Sequence, residues 1–193
     1  AMGVHFYAVA AEMDDDAAHC TQAVMPHVVP VSRVEDLRAV DFIPMLVRRA
    51  FRGVLLGGGS PCQGNSALNR RRKGLADTRS QQPLELQRLV SEFEQLPACQ
   101  GMEIVAFLEN VASMPKQVQQ AYENWLAGPP ILLDGGSCGW VSRRRFFWLR
   151  SRRGVVSPAN PPPESWQWCT TTSGVAELRY AGKKPLPPQV FWD

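Results

Sequence analysis

Cys62 is the residue in this chain best placed to do chemistry. It closes the segment Gly57-Gly58-Gly59-Ser60-Pro61-Cys62-Gln63, directly after the apolar run Gly53-Val54-Leu55-Leu56. Glycines permit tight backbone geometry, and Pro61 stiffens the approach to the cysteine. A cysteine on a loop at a strand end is more exposed than one in a core, and its thiolate can act as a nucleophile. The competing role is that of a small buried hydrophobe, which we assign to Cys20, Cys99, Cys138 and Cys169. Other groups fall at the ends of apolar segments: the carboxylate of Glu109 after Ile104–Leu108, that of Glu12 after Val4–Ala11, and the guanidinium run Arg143-Arg144-Arg145. Taken singly, each acid is a surface residue at an element end, and the arginines are a solvated turn. The 5 cysteines are odd in number and never spaced C-x-x-C, which argues against a disulfide framework and against a zinc site. A cysteine hydrolase would need a histidine base. The 3 histidines, His5, His19 and His27, cluster near the start, and none follows a later strand.

These groups need a scaffold, and the hydrophobic pattern supplies one. Strands are predicted over Val4–Ala11, Val28–Val31, Gly53–Leu56 and Ile104–Leu108, with Ile131–Asp134 and Arg145–Leu149 as a closing pair. Helices are predicted over Asp14–Ala23, in part of Val34–Arg49, and over Pro83–Leu96 and Pro115–Leu126. Residues 63–80 are polar, basic and glycine-containing, which reads as a mobile loop. From Ser157 to Asp193 the prolines predict extended, irregular chain. Strands alternating with helices give an α/β domain with a mainly parallel sheet, in which ligands sit at the carboxyl ends of strands. Glu12, the Cys62 segment and Glu109 all fall at that edge.

Hydrophobic residues make up 45% of the chain and charged residues 20%, enough apolar material for a real core. No apolar run reaches the roughly 18–20 residues of a membrane helix, and the start resembles no export signal. The expected setting is intracellular: cytoplasm and nucleoid, or nucleus. Net charge is only +3, but it is unevenly placed. Arg70, Arg71, Arg72 and Lys73 form one basic block, and Arg143, Arg144, Arg145, Arg150, Arg152 and Arg153 form another. Such runs are usually solvated faces, and they are also what phosphate contact requires.

Taken in order, three tripeptides resemble the motifs of the cytosine carbon-5 DNA methyltransferases: Pro61-Cys62-Gln63, Glu109-Asn110-Val111, and Arg143-Arg144-Arg145 followed by Phe146-Phe147-Trp148. Gly59-Ser60-Pro61-Cys62, Arg72-Lys73-Gly74-Leu75, Leu133-Asp134 and Arg145-Phe146-Phe147-Trp148 are most similar to the de novo type, and Thr170-Thr171-Thr172-Ser173 to the opening of its target-recognition region. The resemblance implies a Rossmann-like methyltransferase sheet, incomplete at its N-terminus, with an irregular C-terminal extension. Residues 4–156 would be a partial catalytic domain and 157–193 the start of a recognition-like region.

What the resemblance implies chemically is methyl transfer from S-adenosylmethionine to a cytosine flipped out of DNA. Cys62 attacks carbon 6, Glu109 hydrogen-bonds N3 and the exocyclic amine, Arg145 contacts the carbonyl oxygen, and Arg143 supports the loop or a phosphate. Asn110 is expected to be structural. Gln63, Asn65 and Ser66 shape or cap the loop and, with Arg70, Arg71, Arg72 and Lys73, make up the expected DNA-contacting set. Glu12 is the candidate ligand for the cofactor's ribose. The family's glycine-rich turn and its closing Gly-x-Ser segment have no counterpart in the residues that match. Weak or absent cofactor binding by this chain alone follows, the remainder being expected from a complementary methyltransferase subunit, from self-association, or from the rest of a longer reading frame of which this chain is one fragment. The alternative is a catalytically inactive DNA-binding or assembly module on the same fold.

Overall fold

A computed structural model describes residues 6–139, 141–152, 154–155 and 162–182. The chain divides after Ala50 into two compact units.

In the first unit, strands β1 (Val9–Ala11) and β2 (Val29–Val31) pair in parallel, joined through helix α1 (Asp15–Val24). Asp14 caps α1 by accepting the Ala17 N–H at 2.9 Å, and Asp15 and Asp16 add favourable charge to its first turn. The first strand is shorter than the predicted 4–11: it begins at Val9, because its ladder lasts only as long as the brief β2. Residues 4 and 5 of that prediction lie outside the described residues. The segment predicted as partly helical holds two 3-10 turns, Val34–Asp36 and Ala39–Phe42, then helix α2 (Ile43–Arg49), which stops at Ala50 in the left-handed region (φ 48°).

The second unit is built on one sheet. Its strands are β3 (Gly53–Gly59), β4 (Glu103–Val111), β5 (Ile131–Asp134), β6 (Arg144–Ser151), β7 (Gly154–Val155), β8 (Trp166–Thr170) and β9 (Ala176–Tyr180). They lie in the order β3-β4-β6-β5-β9-β8, with β7 on the end of β6. The expectation of a mainly parallel sheet is corrected. Only β3–β4 and β5–β9 are parallel here, and β6 runs antiparallel between β4 and β5. The β5–β6 connection, which holds the single-turn helix α5 (Gly135–Cys138), is too short for the crossover that parallel neighbours require.

Helices α3 (Gln82–Gln95) and α4 (Lys116–Leu126) bury one face each, α4 through Val118, Tyr122 and Leu126 at four-residue spacing. β4 alternates, with Ile104, Ala106, Leu108 and Asn110 buried. Leu108, Val118, Tyr122, Leu132, Phe146 and Trp148 form the centre of the core, and the Tyr122 and Trp148 rings meet at 5.3 Å.

The C-terminal extension also departs from expectation. Residues 166–180 form a β8–β9 hairpin, and β9 adds to the sheet parallel to β5. Its turn closes at Gly174 (φ 81°), a backbone geometry that favours glycine, and Trp166 meets Tyr180 edge-on across the strands. Pro162 and Pro163 lie in the irregular approach; Pro161, Pro185, Pro187 and Pro188 lie outside the described residues. Among the described residues no helix is long and apolar enough to cross a membrane.

Candidate active site at the end of strand β3

β3 runs through the glycines that the sequence had placed in the loop, pairing Gly57 with Phe107 and Gly59 with Glu109. Two of these glycines have steric reasons. A methyl group on Gly57 would fall within 2.0–2.4 Å of the Phe107 ring, and one on Gly59 would stand 2.8 Å from Glu109 Oε2. Small residues in β3 therefore make room for the Phe107 and Glu109 side chains of β4.

After Gly59 the chain turns. Ser60 N donates to Glu109 O at 3.2 Å, and the Cys62 carbonyl accepts both Asn65 N (2.9 Å) and Ser66 N (2.7 Å). Cys62 is thus held by a turn wound on its own carbonyl. The residue is half-buried and packs against the core.

Residues 63–80 form a hydrogen-bonded arm rather than the featureless loop predicted. Asn69 Nδ2 donates to Gln63 O at 2.6 Å, Gly74 N to Gly64 O at 2.9 Å, and Arg72 Nη1 to Ser113 O at 3.0 Å and Asn65 O at 3.3 Å. Asn65 is 0% exposed, and its amide bonds Tyr122 and Ser80. A DNA-contacting role for its side chain is therefore corrected: it shapes the arm from inside. Gln63, Arg70, Arg71, Arg72 and Lys73 are exposed and Ser66 partly so. Leu68, just before the basic run, is 96% exposed.

Glu109 lies within β4 rather than beyond its end. Arg145, on the neighbouring strand β6, brings its Nε to 2.6 Å from Glu109 Oε1, with the two side chains 22% and 27% exposed. The carboxylate and guanidinium are therefore paired and partly shielded from water, which strengthens their interaction. Asn110 is buried: its Nδ2 donates to Ser60 Oγ at 2.5 Å, and its Oδ1 accepts Val111 N. Through it, the Cys62 turn and the Glu109 strand are locked together.

Arg143 is presented differently. Its side chain is exposed, and its backbone N–H is held by Asp134 Oδ1 at 2.9 Å. Asp134 Oδ1 also accepts Gly136 N, and its Oδ2 accepts Ser142 Oγ at 3.0 Å. Burial alone would raise the Asp134 carboxyl, but these hydrogen bonds and nearby Arg144 outweigh it and leave the pKa below the ordinary value. Arg150 and Arg152 stand apart from the site. Arg150 Nη2 bonds both oxygens of Glu94 at 3.1 Å, and Arg152 donates to the carbonyls of Glu94, Cys99 and Met102.

In the first unit, Glu12 follows β1; its N–H donates to Val31 O at 3.0 Å, and its Oε1 accepts Asp14 N at 3.0 Å. It lines a recess of about 180 Å³ with Ala10, Asp15, Gln22 and Ser32. Among the described residues no cluster of histidine, cysteine and acids could hold a metal.

Sequence analysis missed Asp134 as a site residue and Tyr122 and Ser80 altogether. An aspartate before Gly-Gly is a turn signal that could have found the first. Tyr122 carries only the general sign that a buried phenol needs a partner.

No protein-family model matches this chain, and no curated protein matches it. Solved structures do. A candidate DNA modification methyltransferase encoded within a prophage of E. coli is 23% identical, with a TM-score of 0.52 over 84% of this chain and 53% of that one. The Entamoeba histolytica methyltransferase EhMeth is 17% identical, with a TM-score of 0.51 over 83% of this chain and 48% of that one. This chain spans about half the length of the structures it matches. At these identities the likeness is one of fold: this mixed α/β chain shares its architecture with solved methyltransferases.

Proposed function

We propose that this chain carries the nucleophile and base-recognition portion of a DNA cytosine-5 methyltransferase. The observation that carries the proposal is the convergence of Cys62, Glu109 and Arg145 at one end of the β3-β4-β6 sheet, with Glu109 and Arg145 paired at 2.6 Å. The target cytosine leaves the duplex stack, since carbons 5 and 6 are inaccessible within it. The Cys62 sulfur bonds carbon 6, turning the carbon 5–carbon 6 double bond into a nucleophilic enamine. Glu109 hydrogen-bonds N3 and the exocyclic amine, and Arg145, its neighbour on β6, binds the base carbonyl oxygen. Loss of the carbon-5 proton after methylation re-forms the double bond and expels Cys62. Arg143 steadies the β5–β6 turn or meets a phosphate. Gln63, Ser66, Arg70, Arg71, Arg72 and Lys73 face the DNA backbone.

S-adenosylmethionine supplies the methyl group when bound. Glu12 fits it in part: a carboxylate at a strand end, lining a recess, suits the ribose hydroxyls. The recess, at about 180 Å³, lies below the 300–1,000 Å³ typical of small-molecule sites. On this reading a complementary methyltransferase polypeptide, a second copy or a further part of a longer chain completes the cofactor site. Titration calorimetry with S-adenosylmethionine should show binding weaker than micromolar by this chain alone.

The decisive test is covalent trapping on DNA containing 5-fluorocytosine, with S-adenosylmethionine and any complementary chain supplied. An adduct that disappears in Cys62→Ser supports the proposal. DNA binding without an adduct under any condition makes the chain a non-catalytic module instead.

A further inference from the structure

The turn that carries Cys62 is held from below by a closed ring of buried polar groups that the chemistry above does not use. Tyr122, Asn65 and Ser80 are each 0% exposed. Asn65 Nδ2 donates to Tyr122 Oη at 3.1 Å, Tyr122 Oη donates to Ser80 O at 3.0 Å, and Ser80 Oγ donates to Asn65 Oδ1 at 3.1 Å. The Tyr122 hydroxyl also bonds Ser60; burial pushes its phenol above the ordinary value, outweighing the hydrogen bonds with Ser60, Asn65 and Ser80, which lower it. Ser60 precedes Cys62 by two residues and Asn65 follows it by three, so one hydroxyl grips both arms of the turn. Asn65 passes the grip on directly, because its own N–H donates to the Cys62 carbonyl. The ring cannot be moved easily. Gly64 is packed so that an added methyl would stand 2.7 Å from Ser80 Oγ, and the Tyr122 ring is fixed by Trp125 and Trp148 at 5.5 and 5.3 Å.

We infer that Tyr122 is the positioning residue of the nucleophile, fixing the height and direction of Cys62 through Ser60 and Asn65. Its importance for catalysis rests on the proposed function, but its effect on the thiol does not. Buried hydrogen-bond rings act as units, and removing one member leaves the others without partners. Tyr122→Phe keeps the ring packing and deletes only the hydroxyl. The turn then loosens, and the half-buried Cys62 becomes more open to small reagents while losing its set direction toward a base.

The test is the rate of alkylation of each cysteine by iodoacetamide, followed peptide by peptide by mass spectrometry on the whole chain. In Tyr122→Phe the Cys62 rate should rise several-fold, up to about tenfold, the scale of one lost buried hydrogen bond. The buried Cys99, elsewhere in the same unit, should keep its rate and serves as the internal control. Ser80→Ala removes a different member of the ring and should move Cys62 in the same direction by less, which keeps the test open if Tyr122→Phe does not fold. In the 5-fluorocytosine assay the trapping rate constant should fall while the DNA concentration at half-saturation stays put. An unchanged Cys62 rate in both variants overturns the inference. So do Cys62 and Cys99 rates that rise together, since that means general loosening of the core. Absence of any adduct from the unmodified chain sinks the proposed function and leaves the alkylation result standing.

Discussion

The two basic stretches of this chain look alike as sequence and are used in opposite ways by the fold. Arg70, Arg71 and Lys73 lie on the arm beyond Cys62, their side chains exposed; Arg72 joins them on the surface but also ties the arm to Ser113. In the second stretch, Arg150 grips Glu94, Arg152 binds three backbone carbonyls, and Arg145 pairs with Glu109. Position in the strand decides this. Alternate residues of β6 face opposite sides of the sheet, so Arg145 meets the site and Arg150 meets α3, while Arg143 just before it and Arg144 at its start stay exposed like the arm. A count of arginines therefore overstates the surface available for phosphates. What counts is which guanidinium groups the fold leaves unclaimed.

That contrast can be pressed experimentally, beginning with the arginine at the site. Arg145→Ala should lower the rate of adduct formation on 5-fluorocytosine DNA by about 100-fold or more, as expected for a donor aimed at developing charge. Arg143→Ala, whose link to Asp134 runs through the backbone, should cost far less. Equal losses in single-turnover trapping would erase the distinction between them.

Next in size is the structural arginine. Arg152→Ala removes charge-assisted bonds to Glu94, Cys99 and Met102 carbonyls and should cost about 1–2 kcal/mol, or roughly 3–6 °C in Tm. It should leave the salt dependence of DNA binding unchanged. The double substitution Arg70→Ala with Arg71→Ala should do the reverse. Stability should change by less than about 0.5 kcal/mol, while the slope of log affinity against log salt falls by about one for each phosphate no longer neutralised. A thermal effect as large as that of Arg152→Ala would show that the arm is structural after all.

The smallest expected effect is that of Asp134, which holds the turn presenting Arg143. Its carboxyl is depressed in the fold, so its stabilisation is fully present above the unfolded value near 3.8 and is lost as pH falls through the lower folded value. Asp134→Asn should therefore lower Tm by about 2 °C at neutral pH, a figure kept small by solvent screening. The difference from the unmodified chain should shrink as pH is lowered below about 4. A difference that grows on acidification would contradict the assignment.

Much of the scaffold was legible in the sequence. Apolar periodicity found α3 and α4 to within a residue or two, because a helix that buries Val118, Tyr122 and Leu126 must repeat every four residues. It also located the strands β3 to β6 by their apolar runs. The hairpin at 166–180 was obscured by the surrounding prolines, although its own residues, Trp166, Trp168, Thr170 and Tyr180, are good strand formers. Strand direction was not legible either, since a run of apolar residues carries no sign of whether its neighbour runs with it or against it.

The sequence by itself determined which residue types stand at the end of which apolar run: a cysteine after the glycines, a glutamate closing the next run, arginines before the aromatic one. Those are local properties, set by composition and period. Only the tertiary structure decided that Arg145 rather than Arg143 pairs with Glu109, that Asn65 faces inward, and that Tyr122 sits beneath the cysteine. Each of these depends on residues far apart in the chain, whose partners are chosen by strand register and helix packing rather than by their sequence neighbours.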